Sequence, residues 1–220
     1  MNLQEMNTEL LTCRRCPRLV DWRERVAREK RRAYQDWEYW GKPVPGFGDE
    51  HASVFVVGLA PGAHGSNRTG RQFTGDASGD FLFPALFRAG FASQPNAISL
   101  NDSMVLSNLY TAPICRCVPP DNKPTTTEMA NCQPYLEREL EIINPKVIVV
   151  LGRIAFEGIP RILKIQDPSI KFAHHAIYQI SKGPWLVCSY HPSRQNTQTG
   201  RLTVEMFDLV WKTVRQILVT

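Results

Sequence analysis

Four short, nearly continuous apolar runs constrain this chain more than any other feature. Ser53 to Gly58, Met104 to Leu109, Lys146 to Gly152 and Leu186 to Tyr190 read as strands. Their lack of a polar alternation marks parallel strands covered on both faces. Helical patterns separate them. Asp80 to Gly90 is one helix, and Thr125-Thr-Thr-Glu128 is a capping box that opens another running to about Ile143. Arg153 to Lys164 is a third, bent at Pro160. Over 201–218, Leu202, Met206, Leu209, Val210, Val214, Ile217 and Leu218 fall on one stripe of 3.6-residue period. Strands alternating with helices predict an α/β fold, a three-layer α/β/α sandwich around a central four-stranded parallel sheet. Ligands of such sheets sit at the carboxyl ends of the strands, so the segments following each strand carry the functional signal.

The chain of 220 residues suits a single unit, 1–220, in which a charged, aromatic preface over 1–50 packs on an α/β core over 51–220. Hydrophobic residues at 43 % and charged residues at 21 % exclude wholesale disorder. Runs such as Val147 to Leu151 are too short to cross a bilayer. The start, Met1-Asn2-Leu3-Gln4-Glu5, has no basic region leading into an apolar stretch, so a soluble cytoplasmic protein with no membrane partner is expected. A net charge of +5 favours an anionic partner. Six cations lie between Arg23 and Arg32 (Arg23, Arg25, Arg28, Lys30, Arg31, Arg32) against Glu24 and Glu29, a pattern that by itself reads as a solvated helix face.

Six cysteines are many for a reduced compartment and too few for a disulfide scaffold in a chain this long. Cys13 and Cys16 are two residues apart and can grip one centre from a single turn; Cys117 and Cys132 would close it from a loop and the Thr125 helix. Cys115 offers the same chemistry as Cys117, which is preferred because Cys117-Val-Pro-Pro120 leaves the sheet in a stiff loop. Four thiolates suit tetrahedral zinc or an iron–sulfur cluster alike. Cys188, in an apolar strand, reads as a small buried hydrophobe.

After the first strand comes Gly58-Leu-Ala-Pro-Gly-Ala-His-Gly65, an anion-binding type of loop that is neither a dinucleotide fingerprint nor a P-loop. Gly62 and Gly65 let the backbone approach a ligand closely. Gly70-Arg-Gln-Phe-Thr-Gly-Asp-Ala-Ser-Gly-Asp80 follows, with Phe73 placed either to stack on something flat or to plug the core. Asp76 and Asp80 stand ahead of a helix, and Asp80 is the expected N-cap. After the fourth strand, His191-Pro-Ser-Arg-Gln-Asn196 puts a histidine at a strand end, where ligands are met.

Taken together these segments resemble the uracil-DNA glycosylase superfamily, in its iron–sulfur branches, over Cys13 to about Leu218. Gly58-Leu-Ala-Pro-Gly62 is similar to motif one, His191-Pro-Ser193 to motif two, Gly70 to Gly75 to the loop of the base-stacking aromatic, and Cys13, Cys16, Cys117 and Cys132 to the ligands of a [4Fe-4S] cluster. Other branches place an Asp or Asn in motif one to position water, where this chain has Ala60; the neighbouring iron–sulfur branch has Glu where this chain has Leu59. A motif one without a polar catalytic side chain resembles family five, the branch of broad base specificity.

The resemblance implies a monofunctional DNA-repair glycosylase acting on DNA that contains uracil or other deaminated bases such as hypoxanthine, and leaving an abasic site. Because a base inside a duplex is out of reach, the nucleotide is flipped out. The base would lie between the Gly62-Ala63 backbone and Phe73, with His191 donating to its carbonyl. With Ala60 unable to hold water, Asp76 takes that role or steadies the cationic sugar, and Asn122 is the expected polar contact to base or water. Arg68, Arg71, Ser193 and the basic 23–32 stretch are expected on phosphates, with Arg194, Gln195 and Asn196 near the gap left by the flipped nucleotide. A monomer is expected. The rival from another class, a non-catalytic zinc- or cluster-bearing DNA-binding protein, leaves the strand-end motifs unexplained.

Overall fold

The structure is a computed structural model that describes residues 2–219, so the outermost positions of the single-unit expectation, 1 and 220, lie outside the described residues. Its strands are β1 (Phe47–Gly48), β2 (Val54–Gly58), β3 (Leu109–Pro113), β4 (Val147–Leu151), β5 (Ile177–Gln179) and β6 (Trp185–Ser189). They form one sheet in the order β1-β3-β2-β4-β6-β5. The inner four are parallel, as expected. The sheet nevertheless has six strands, not four, because short antiparallel strands finish both edges. At two and three residues, neither is long enough to leave a pattern in the sequence.

The expected strand Met104 to Leu109 is displaced. Asn108 is left-handed at φ 55°, and its side-chain oxygen accepts from the Ser53 N–H, so pairing with β2 begins only at Leu109. Val105 is exposed, and Leu106 makes only an isolated bridge to Ala92.

The helices are α1 (Leu3–Leu11), α2 (Pro17–Glu29), α3 (Ser66–Thr69), α4 (Gly79–Arg88), α5 (Thr126–Ile143), α6 (Arg153–Ile162), α7 (Arg194–Gln198) and α8 (Val204–Leu218). The Thr125–Glu128 capping box is present in both directions. α6 continues through Pro160. α8 starts at the Thr203 cap rather than at 201, and Leu209 faces solvent instead of joining the buried stripe. Among the described residues no helix is long and apolar enough to cross a membrane.

Alternate residues of each inner strand serve opposite faces. Val54, Val56, Val147, Val149 and Val187 pack with α4 and α8, around Phe83, Phe207 and Trp211. Phe55, Val57, Ile148, Val150, Leu186 and Cys188 pack under α1, α5 and α6. The preface takes part: Leu3, Met6 and Leu10 belong to that second cluster, and Arg18 of α2 forks onto the Glu128 carboxylate.

One buried ion pair fastens α5 to the end of β3. Arg116 and Glu139 bond side chain to side chain with essentially no exposure, and the Tyr110 hydroxyl donates to Glu139 Oε1 at 3.1 Å. Glu139→Leu strands the Arg116 charge and is expected to destabilise the fold by about 3–5 kcal/mol in urea unfolding, against the near-zero change that a solvated pair would give.

Candidate active site

The connections reverse direction between β2 and β4: β2 leads to β3 on one side, and β4 leads on to β6 on the other. The crevice at the carboxyl ends there is where an open α/β sheet binds its ligand. The loop after Gly58 turns into the single-turn α3, with the Asn67 N–H bonded to the Gly62 carbonyl and the Arg68 N–H to that of Gly65. The chain then returns through Gly70 and Gly75, both at positive φ, to α4.

Phe73 lies on this return. It is left-handed at φ 54° and 5 % exposed. Its ring sits beneath Gly58, where any Cβ would come within 2.8 Å of Cζ, and its centre is 6.2 Å from that of the His191 ring. It therefore both fills the core and adjoins the histidine.

Asp76, not Asp80, serves the start of α4. Its Oδ1 accepts from the Ser78 and Gly79 N–H groups at 3.0 and 3.1 Å, whereas Asp80 is exposed. The expectation fails because capping needs a side chain ahead of the first turn, and the helix already includes Gly79 and Asp80. Oδ2 faces the first loop: a side chain at Gly62 would come within 3.0 Å of it, and one at Gly65 would overlap it. The residue as a whole is part-exposed, yet its carboxyl is hemmed in by protein. Burial raises its pKa above the usual carboxylate range, Asp80 adds to this, and the two N–H donors and the Arg68 charge oppose it.

His191 follows β6. Gly152 at the end of β4 lies against it, so that a Cβ there would approach His191 Cβ to 3.1 Å. Asn196 Nδ2 donates to the His191 carbonyl at 2.9 Å, and the preceding Tyr190 N–H donates to His174 Nδ1 at 3.2 Å. Burial pushes the His191 pKa down to about 4, so the ring is neutral at physiological pH. Ser193 caps α7, accepting from the Asn196 N–H, while Arg194 and Gln195 are exposed. Gly62 and Ala63 are half-buried in the first loop. Asn122 is exposed in the 3-10 turn Pro120–Asn122, and no described contact joins its side chain to Phe73, Asp76 or His191.

Two expected phosphate contacts are corrected. Arg71 is buried; its Nη2 forks across both Asp102 oxygens at 2.7 and 2.8 Å, and Nε donates to Thr74. Arg68 is buried too, donating to the His64 and Gly75 carbonyls. Local sequence shows neither role: Asp102 is 31 residues from Arg71, and the carbonyls that receive Arg68 are backbone groups with no residue signature. Arg23 likewise leaves the expected solvated face: it is buried and donates to Cys117 Sγ at 2.9 Å and to the Cys13 carbonyl at 3.3 Å. Arg25, Arg28, Arg31 and Arg32 remain exposed.

Cys13, Cys16, Cys117 and Cys132 line one small cavity walled by Leu10, Leu19 and Pro43. Asn131 Nδ2 donates to Cys16 Sγ at 3.3 Å. Cys115 is fully buried and outside this lining, and hydrogen-bonds Cys132, lowering the pKa of that thiol. Cys188 lies in the core, as expected. Among the described residues no three His, Cys, Asp or Glu side chains converge as a single metal ion requires. The donor set of four thiols around a space, with two hydrogen bonds to sulfur, fits a cluster whose own atoms fill the middle.

The sequence model described as Uracil DNA glycosylase superfamily matches residues 45–215. A type-5 uracil-DNA glycosylase of Mycobacterium leprae is 45 % identical over 222 residues, covering 98 % of this chain and 96 % of that one. A type-5 uracil-DNA glycosylase of Thermus thermophilus is 51 % identical over 199 residues, 90 % of each chain. A type-4 uracil-DNA glycosylase of Archaeoglobus fulgidus is 31 % identical over 156 residues, 68 % of this chain and 70 % of its own.

Proposed function

Because this chain belongs to the uracil-DNA glycosylase superfamily, we propose that it flips uracil, and also hypoxanthine, out of DNA and hydrolyses the N-glycosyl bond to leave an abasic site. The observation that carries this is the meeting, at the sheet's switch point, of the Gly62–Gly65 loop, the Asp76 carboxylate and the neutral His191 ring beside Phe73. On the same reading the chain works as one unit over 1–220, as a monomer in the cytoplasm.

The base enters between the Gly62-Ala63 backbone and Phe73. As the bond from C1′ to the base nitrogen breaks, its electron pair leaves with the base and the sugar becomes oxocarbenium-like. A neutral His191 N–H donates to the base carbonyl and stabilises the departing anion without surrendering its proton. Asp76 Oδ2, left free by the two N–H groups on Oδ1, faces the positive charge on the sugar and orients water toward C1′. As the C1′–O bond forms, the water's proton passes to this carboxylate, and the departed base anion takes a proton from solvent. Asn122 contacts the base or the water once DNA brings the exposed turn over the crevice. Motif one then needs no polar side chain at Ala60, and a pocket that discriminates through backbone and one histidine tolerates several base outlines.

Arg194, Gln195 and Asn196, with the exposed arginines of 25–32, meet DNA through its backbone or the vacated gap, giving salt-sensitive binding. Cys13, Cys16, Cys117 and Cys132 would hold a [4Fe-4S] cluster that, when bound, crosslinks the preface to the core. Arg23 and Asn131 then compensate the charge on its sulfurs.

Single-turnover assays on duplexes bearing one uracil or one hypoxanthine test the proposal. Abasic product from both is expected. Product from uracil alone would remove the broad specificity, and binding without product from either would leave the non-catalytic reading.

A further inference from the structure

We propose that Arg68 is a positioning residue that sets the spacing of the two site loops, holding a carbonyl of each with one guanidinium inside an aromatic corner supplied by the preface. The inference rests on the proposed site, and gives an internal task to a side chain whose residue type suggests phosphate binding.

Nε donates to the His64 carbonyl at 2.7 Å and Nη2 to the Gly75 carbonyl at 3.0 Å. His64 belongs to the loop of Gly62 and Ala63, and Gly75 directly precedes Asp76. One planar group therefore spans the two segments that would hold the base and orient the water. The third nitrogen, Nη1, is buried without a hydrogen-bond partner. Instead the Tyr34 and Trp37 ring centres each lie 4.0 Å from Cζ, with the two rings at 82° to each other. A buried cation facing π-systems is partly compensated by their quadrupoles. Among the described ion pairs none joins Arg68 to a carboxylate, so its direct contacts are carbonyls and rings, and its charge reaches Asp76 only at longer range.

The surroundings are shaped to admit this group. Gly75 is at φ 72°, and a Cβ there would overlap Arg68 Nη2, so glycine leaves the space that the guanidinium occupies. The preface closes over the same turn: the Trp40 N–H donates to the Arg68 carbonyl at 2.9 Å and the Gly41 N–H to that of Asn67 at 3.0 Å. The Trp40 ring lies against Gly70, and the Tyr39 hydroxyl is 3.1 Å from His64 Nδ1. The segment from Tyr34 to Gly41 thus clasps α3 and both loops. Lysine cannot replace the fork, because a single ammonium on a flexible stem does not hold two carbonyls at a set separation.

The test compares Arg68→Lys, Arg68→Met and Trp37→Leu in the cluster-loaded protein, with His191→Ala as a reference. Single-turnover excision from a uracil duplex is measured at saturating enzyme and normalised to folded protein. Affinity for a duplex with a non-hydrolysable uracil nucleotide is followed across salt concentration. A misplaced reactive geometry predicts that both Arg68 variants lose roughly ten- to a hundredfold in rate, with Trp37→Leu lower than wild type, while affinity and its salt slope stay unchanged. Trp37→Leu leaves Arg68 in place, so it reports even if Arg68→Met fails to fold. A wild-type rate in Arg68→Lys and Trp37→Leu overturns the proposal, as does a salt slope reduced by about one in Arg68→Met, the mark of a lost phosphate contact. If His191→Ala also retains the wild-type rate, the site reading itself fails; if only the Arg68 and Trp37 variants do, this inference alone fails.

Discussion

Replacing His191 by alanine is expected to slow single-turnover uracil excision by about 10²–10³-fold, the loss seen when one preorganised donor to a developing anion is removed. DNA affinity should not change, because the ring touches charge that exists only as the bond breaks. The environment specifies which form of the ring does this. Burial holds the pKa at about 4, and no carboxylate among the described residues opposes it. The rate should therefore show no loss assignable to His191 between neutral pH and the onset of that titration. His191→Gln, which keeps an N–H donor, should recover part of the loss. An equal fall in excision and in affinity would make His191 a binding residue only.

Asp76→Asn is the second large effect, with an expected fall of about 10²–10⁴-fold in excision, the range for a positioned group managing a proton. The amide keeps the shape, and its oxygen can still accept from the Ser78 and Gly79 N–H groups. What is lost is the anionic Oδ2 facing the first loop. Because burial raises the carboxyl pKa, wild-type activity should decline on the acid side at a higher pH than an ordinary aspartate would give, and Asp76→Asn should lack that limb. Stability should move the opposite way. A carboxyl with a raised folded pKa binds its proton more tightly in the native state, so its contribution is present at low pH and lost as pH rises through that pKa. Asp76→Asn should therefore be at least as stable as wild type at neutral pH, a stability–activity opposition found at functional groups. A less stable variant excising at the wild-type rate would reduce Asp76 to a helix cap.

Residues whose signal is local were legible in the sequence. The inner strands β2, β4 and β6 announce themselves because both faces are buried, and α5 because its capping box is written in adjacent residues. The strand-end positions of the Gly58 loop and His191 follow from the same rule. β3 was not legible: its Tyr110 and Thr111 are less apolar than the Met104–Leu106 run before it, and only the pairing of Asn108 with Ser53 decides where it begins.

Arginine roles were the least legible. Arg23, Arg68 and Arg71 look like surface cations, yet each is buried on a partner supplied from elsewhere: Cys117, the Tyr34–Trp37 corner and Asp102. One clue was present, the aromatic-rich stretch from Tyr34 to Trp40, which lies outside any α-helix or strand and whose rings need something to pack on.

The most direct test of the account is single-turnover excision from a duplex carrying one uracil, run with wild type and with the Asp76→Asn/His191→Ala double variant, alongside the affinity of each for the duplex. The account predicts rapid abasic product from wild type and none above background from the double variant, at equal affinity. Excision by the double variant at a rate comparable to wild type would contradict it, placing the chemistry on other residues.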